Sequence, residues 1–259
     1  MDLTRRLRHA FAAVLLLHAP VPFAEGLRVG TGFDYSTGTY GTSEKTEILY
    51  IPLTARYDTG RWTFRGVVPY VEITGPGNVV GAGGDRIVLP GAPTPRRTEK
   101  GLGDVVASAF YNVLDENAAA IGLDLGAKLK LGTADRAKGL GTGENDYSVQ
   151  ADVFKALGAL TPFVSVGYRW YGDPPGVDLR NIWYSSFGAT YKASAETSYG
   201  AAYDQRPSAT VGGPRSAELT AFLTQRLTRE WRAQMYGVVG LADGSPDWAI
   251  GALISYQFR

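Results

Sequence analysis

The side chains best equipped for chemistry in this sequence are charged ones placed inside alternating apolar stretches. The basic members are Arg28, Arg56, Arg65, Lys128, Lys130, Arg169, Lys192, Arg206, Arg226 and Arg232; the acidic members are Asp34, Asp104, Asp124, Asp152, Glu196, Asp204 and Glu218. Gathered on one surface, such a set can hold water, pair, and sort solutes by charge. It cannot supply a nucleophile with its base. The 259 residues include no Cys and two His. Both histidines, His9 and His18, fall in a segment that reads below as a removable leader. Ser-His-Asp or Cys-His catalysis and imidazole-held zinc or haem each need a group that the rest of the chain lacks. The sequence therefore argues against an enzyme and against any metal or cofactor. A net charge of +1 gives no basis for nucleic-acid binding.

Period-2 strands must position these charges. From Ala119 to Leu131 every second residue is apolar, with Asp124, Lys128 and Lys130 among those between. The same grammar runs through Phe163–Tyr171 and Trp248–Phe258. A helix would mix the two sets around its circumference, whereas a strand puts each on its own face. Counting such segments gives about twelve strands, with 10 or 14 as alternatives. They fall near 27–36, 46–57, 61–73, 103–113, 119–132, 146–156, 162–172, 182–192, 196–206, 216–227, 231–241 and 247–258.

Short and long connections alternate between them. Tight turns fall at 58–60, 115–117, 157–159, 193–195 and 228–230, and Gly-, Pro- and Asp-bearing loops near 37–45, 74–102, 133–145, 173–181, 207–215 and 242–246. That alternation is the signature of an outer-membrane barrel, with short turns toward the periplasm and long loops outside. The strands also have the roughly 9–11 residues needed to cross the bilayer at the usual tilt. Aromatics near strand ends, such as Tyr57 with Trp62 and Trp170, Tyr171, Trp183 and Tyr184, match interfacial girdles. The fold expected is all-β: a closed antiparallel transmembrane β-barrel over residues 25–259. Residues 1–24, with Arg5, Arg6 and Arg8 ahead of an apolar run from Ala10 to Leu17, read as a signal peptide. Its removal takes three Arg and one Asp and leaves a near-neutral, thiol-free, exported chain, as in a Gram-negative envelope.

With the apolar face toward lipid, the charged set lines the lumen, because pointing it into hydrocarbon is costly. There it would form a ladder of paired charges. One reading is a solute pathway with charge selectivity; the other is a narrow lumen filled by those pairs. Loop 74–102 holds Arg86, Arg96, Arg97 and Lys100. It either folds inward as a constriction or stays an external segment. Gly139-Leu140-Gly141-Thr142-Gly143 looks like a phosphate-cradling loop but leads into a strand rather than a helix, so it reads as a turn. Pro52 and Pro69 lie inside adjacent strands and predict a bulge or local gap. In 231–241 the alternation is weak and leaves the faces of Met235 and Tyr236 open.

Several stretches carry a family resemblance: Ile51-Pro52-Leu53 with Tyr57, Val68-Pro69-Tyr70, Gly75-Pro76-Gly77, Gly101-Leu102-Gly103-Asp104, Leu131-Gly132-Thr133-Ala134-Asp135 into Lys138–Gly143, and Gly167-Tyr168-Arg169. In order along nearly the whole chain after the leader, they resemble the outer-membrane barrel family named for the meta-pathway of phenol degradation. The chain departs from the family pattern at Leu131 and Ala134. The resemblance implies a barrel that passes aromatic or other hydrophobic compounds inward, and it brings no catalytic residues. The expected function is passive uptake of small solutes through the outer membrane. The alternative is a structural or surface-interaction barrel with a filled lumen. The partners expected are outer-membrane lipid, small-molecule solutes and the barrel-insertion machinery, the last through a final strand whose closing aromatic is Phe258.

Overall fold

The computed structural model describes residues 26–82, 86–89, 95–115, 119 and 121–258. The expected signal peptide, and with it both histidines, lies outside the described residues, as does part of the expected 115–117 turn. Among the described residues fifteen strands follow one another: β1 (Gly26–Gly38), β2 (Thr46–Thr59), β3 (Trp62–Gly75), β4 (Val79–Val80), β5 (Ile87–Val88), β6 (Arg97–Leu102), β7 (Val105–Leu114), β8 (Gly122–Leu131), β9 (Asp146–Phe154), β10 (Leu160–Trp170), β11 (Ile182–Lys192), β12 (Thr197–Arg206), β13 (Ser216–Arg226), β14 (Trp231–Gly240) and β15 (Trp248–Gln257). Each wall strand pairs antiparallel with its neighbours, and β1 pairs with both β2 and β15, so the sheet closes. β6 and β7 together form one wall strand beside β3, which makes a twelve-stranded barrel. The short pair β4–β5 stands apart from the wall.

The outer face is apolar. Val164 and Val166 on β10, Phe187 on β11 and Leu219 on β13 are among many large hydrophobics between 43 % and 51 % exposed. In water such a surface would be a patch far beyond what monomeric proteins tolerate; in a bilayer it is the lipid contact. Aromatics gather at both ends of this band. At the short-turn end, Trp62 meets Tyr111 at 4.9 Å, Trp231 meets Tyr256 at 5.1 Å and Tyr191 meets Tyr199 at 5.4 Å. At the long-loop end, Tyr168 packs against Trp170 at 4.8 Å and Trp183 at 4.9 Å. Tyr171 and Tyr184 do not join this girdle, for both turn inward to Arg169.

The two prolines face each other across β2 and β3 and interrupt the ladders on either side of that pair. Pairing of β1 with β2 skips from Thr31–Leu53 to Asp34–Tyr50, opposite Pro52. Beside Pro69 the wall strand breaks between β6 and β7 and gains one residue, a bulge in which the Gly103 amide donates to the Pro69 carbonyl at 2.9 Å. A missing amide hydrogen is tolerated in a closed sheet where pairing is already interrupted. On β14, Met235 faces lipid at 57 % exposure, and Tyr236 is buried inside and donates to Asp34 Oδ2 at 2.8 Å.

Candidate functional site: a charged lumen and its inward loop

Closure of the sheet places alternate residues of every wall strand inside. Strand register then decides which inward charges are neighbours. Following directly opposed residues from β15 to β10 gives one continuous row: Gln257, Arg28, Arg56, Arg65, Ser108, Lys128, Ser148 and Arg169. It winds from the short-turn end to the long-loop end and carries five cations and no acid. A second row, traced the same way from β7 to β13, runs Asn112, Asp124, Asp152, Ser165, Ser186, Asp204 and Glu218. It carries four acids and no base. Nine of the inward charges thus fall into two parallel rows of one sign along the opposed positions, beside ion pairs such as Arg56–Asp58 and Lys130 with Asp104 and Asp146. Oblique pairing of tilted strands produces this, since a row of opposed residues must climb the barrel.

Between the spirals lies a row of rings and glycines: Phe110, Gly126, Gln150, Gly167 and Tyr184. A Cβ on Gly126 would sit 2.3 Å from the Phe110 ring, and one on Gly167 2.2 Å from Tyr184, so each ring packs directly against a glycine. The Arg65 guanidinium stands 5.0 Å over the Phe110 ring, and that of Arg169 5.5 Å over Tyr184. The basic spiral is therefore bound to the aromatic row by cation–π contacts. Along it, Arg28 donates to Gln257 Oε1 at 2.8 Å and Arg56 grips Asp58 through Nε and Nη2. On the acidic spiral the donors are largely neutral: Asn112 gives Asp124 a bond at 2.7 Å and Gln150 gives Asp152 one at 2.6 Å.

The other predicted charges fall into smaller groups. Arg226 and Arg232 are directly opposed near the short-turn end and extend the basic side. Lys130 is held by Asp104 at 2.9 Å, Asp146 at 3.0 Å and Thr142 at 3.1 Å. Thr142 belongs to the glycine-rich stretch, which follows a 3-10 turn at Arg136–Lys138 and leads into β9, so that stretch is a structural turn. Arg206 and Asp34 lie near Glu218 at the outer end, and Arg206 acts on it electrostatically. Lys192 and Glu196 sit at the short-turn mouth, where Lys192 ends β11 and Glu196 lies in the turn after it, and with Arg226 and Arg232 they line a cavity there.

Between β3 and β6, the described residues 79–82 and 86–89 turn inward. Val79 is buried against Ile48, Tyr50, Val71 and Ile73 on the inner faces of β2 and β3, together with Tyr40 and Leu140. Val80 and Ile87 pack on Leu179 and Ala209 from two other loops. Arg86 reaches the opposite wall, where Nη2 donates to Glu218 Oε1 at 2.9 Å, with side-chain exposures of 3 % and 2 %. Its guanidinium lies 5.6 Å from the Tyr40 ring. Burial opposes the charge on Arg86, but Glu218, Tyr40 and Asp34 hold it protonated above the ordinary guanidinium value. Burial likewise raises the Tyr40 phenol, against the pull of Arg86.

Arg86 is thus a cation across the lumen, and the other three loop candidates are not. Arg96 is exposed at the outer rim and pairs with Glu47 at 3.3 Å. Arg97 and Lys100 are exposed on β6, which starts earlier than the sequence suggests. Sequence reasoning did not single out Asp58, Asp146 or Phe110, placed Tyr184 in the girdle and left the face of Tyr236 open. Each sits at an inward strand position, which alternation alone could have marked for Asp146 and Tyr184.

In comparisons with known proteins, no curated protein matches the sequence. Among solved structures, an outer-membrane channel from Pseudomonas putida F1 is similar at a TM-score of 0.72, with 16 % identity over 100 % of both chains. The NanC porin is similar at 0.55, with 11 % identity over 90 % of this chain and 100 % of that one. The P. putida toluene transporter TodX is similar at 0.50, with 11 % identity over 92 % and 91 %. These likenesses are of fold: outer-membrane barrels. The family described as "Putative MetA-pathway of phenol degradation" matches residues 23–259, and the chain belongs to it.

Proposed function

We propose that the protein is a passive outer-membrane channel for small solutes, aromatic compounds among them, closed at its outer mouth by the segment between β3 and β6. The observation that carries this reading is the sorting of inward charges into rows. A barrel interior that served only as filler would gain most from apolar packing or from pairing each cation with an anion. Rows of one sign run along the inner wall as well as pairs such as Arg56–Asp58 and Lys130–Asp104, and a solute passing beside such rows would be sorted by charge, as in selective pores. Support for aromatic cargo comes from the family, from the toluene that TodX transports, and from the inward rings of Phe110 and Tyr184.

The buried apolar cluster around Tyr40, Val79 and Leu140 favours a second reading, a lumen filled at its outer end. Proteoliposome swelling separates the two. Liposomes holding the wild type and a variant with residues 79–95 replaced by a short Gly–Ser linker are placed in small neutral osmolytes. A channel closed by this segment gives faster swelling in the variant. Swelling no faster than that of empty liposomes in both, from barrels shown to be folded, would reject the channel reading.

A further inference from the structure

We propose that the cavity at the short-turn mouth is a binding site for a small tetrahedral oxyanion of the phosphate or sulfate kind. The inference does not need the channel reading, because the cavity stands at the mouth of a conducting and of a filled barrel alike. Strand register builds it. Lys192, the last residue of β11, lies opposite Ser198 of β12, Ser198 opposite Thr224 of β13, and Arg226 opposite Arg232 of β14. Thr190 and Thr224 stand two residues before Lys192 and Arg226 on their strands, so each threonine shares a face with a cation. These residues line one cavity of about 100 Å³. A single water needs roughly 10–15 Å³ of such space, so the cavity has room for a four-oxygen anion.

Two observations fix the chemistry of the ligand. The first is charge. The described lining sets Lys192, Arg226 and Arg232 against Glu196, three cations to one carboxylate. Among the described residues neither Lys192 nor Arg226 forms an ion pair, and Arg232 feels repulsion from Arg226 and Arg56. The Glu196 carboxylate accepts from Ser194 Oγ at 3.2 Å, and its backbone carbonyl accepts from the Arg226 amide at 2.8 Å, which keeps the acid at the rim. An anion in the cavity relieves the repulsion and takes charge-assisted bonds from Lys192 and Arg226. The second is the hydroxyls. Thr190 and Thr224 are 3 % and 6 % exposed, and the Oγ1 of each lacks a hydrogen-bond partner. Buried hydroxyls are nearly always paired, so two unpaired ones in one cavity wall call for an acceptor there. A tetrahedral oxyanion presents oxygens to several walls at once, whereas a carboxylate presents two. The lining faces inward, while Tyr191 and Tyr199 stack on the outer face of the same strands, so the ligand is a free solute and not a lipid headgroup.

Isothermal titration of the detergent-folded protein with inorganic phosphate, sulfate and acetate tests this. Phosphate and sulfate are each expected to bind about tenfold more tightly than acetate, and less tightly as KCl rises, through screening. Arg226→Gln and Lys192→Gln should each weaken phosphate about tenfold through loss of a charge-assisted bond. Thr224→Val should weaken it about threefold through loss of a neutral one. Glu196→Gln should tighten it about threefold, because the opposing charge is gone. Glu196 lies in an exposed turn, so that variant changes charge without disturbing the wall. Phosphate binding no tighter than acetate would overturn the proposal on the wild type alone. So would a Glu196→Gln variant that binds phosphate no better, or a folded, heat-modifiable Arg226→Gln variant that binds it as well as the wild type. Phosphate binding without osmolyte flux in liposomes would sink the channel reading and leave this site standing; flux without phosphate binding would do the reverse.

Discussion

Replacing Arg86 by Ala removes the one charged contact, among the described residues, between the inward segment and the wall opposite its root. Its partner, Glu218, is 2 % exposed and would be left as a buried carboxylate with a hydrogen bond from Ser216 at 3.0 Å and the attraction of Arg206. Breaking a buried ion pair by deleting one partner costs about 3–5 kcal/mol, and Arg206 keeps the loss here near the lower end of that range. That loss falls on whichever state holds Glu218 dry, namely the closed one; with the segment withdrawn, water reaches the carboxylate. The closed-to-open ratio should therefore drop by more than about a hundredfold, at one factor of ten per 1.4 kcal/mol. Single-channel recording reads this as a rise in open probability. The double variant Arg86→Ala, Glu218→Gln separates gating from stability. It removes the orphaned charge, so resistance to thermal unfolding should largely return, yet the tether stays broken and the open probability should stay above wild type. An Arg86→Ala variant that gates like the wild type would refute the view that this pair holds the lumen closed.

Three further outcomes follow from the geometry. Lys130→Ala strands Asp104 and Asp146 around an empty centre and should destabilise the barrel by about 3–5 kcal/mol, read as a lower temperature for the heat-induced mobility shift on gels. Gly167→Ala puts a methyl 2.2 Å from the Tyr184 ring, which must leave its seat; a loss of about 1–3 kcal/mol is expected in urea unfolding from vesicles. Val166→Arg on the lipid face of β10 should cost about 2–4 kcal/mol in the same assay if that residue sits near the bilayer midplane, whereas Lys128→Gln on the inner face should change ion selectivity more than stability.

Much of the architecture can be read from local pattern. Period 2 marks each wall strand because one face meets lipid and the other water, and β11 starts and ends where the alternation does. Pro52 and Pro69 announce the broken ladders because a missing amide donor has a local consequence. The site is less legible. Inwardness follows from alternation, but the spirals depend on register between strands far apart in sequence. Arg28 and Arg169 belong to one row only because six intervening pairings set it, and no spacing along the chain encodes that. The inward placement of Val79, Val80, Arg86 and Ile87 is hidden for a related reason. Their anchors, Glu218 for Arg86 and the β2 and β3 side chains for Val79, are remote, and the segment has no periodicity of its own. Arg97 and Lys100 read as loop in the sequence because β6 is polar at the outer rim, above the lipid.

If the barrel encloses a route closed by its own inward segment, planar-bilayer recording of the refolded wild type beside the variant lacking residues 79–95 tests it most directly. Rare, brief openings are expected in the wild type and a steady conductance in the variant. Silence from both, with each shown to be a folded, heat-modifiable barrel, would contradict that closure.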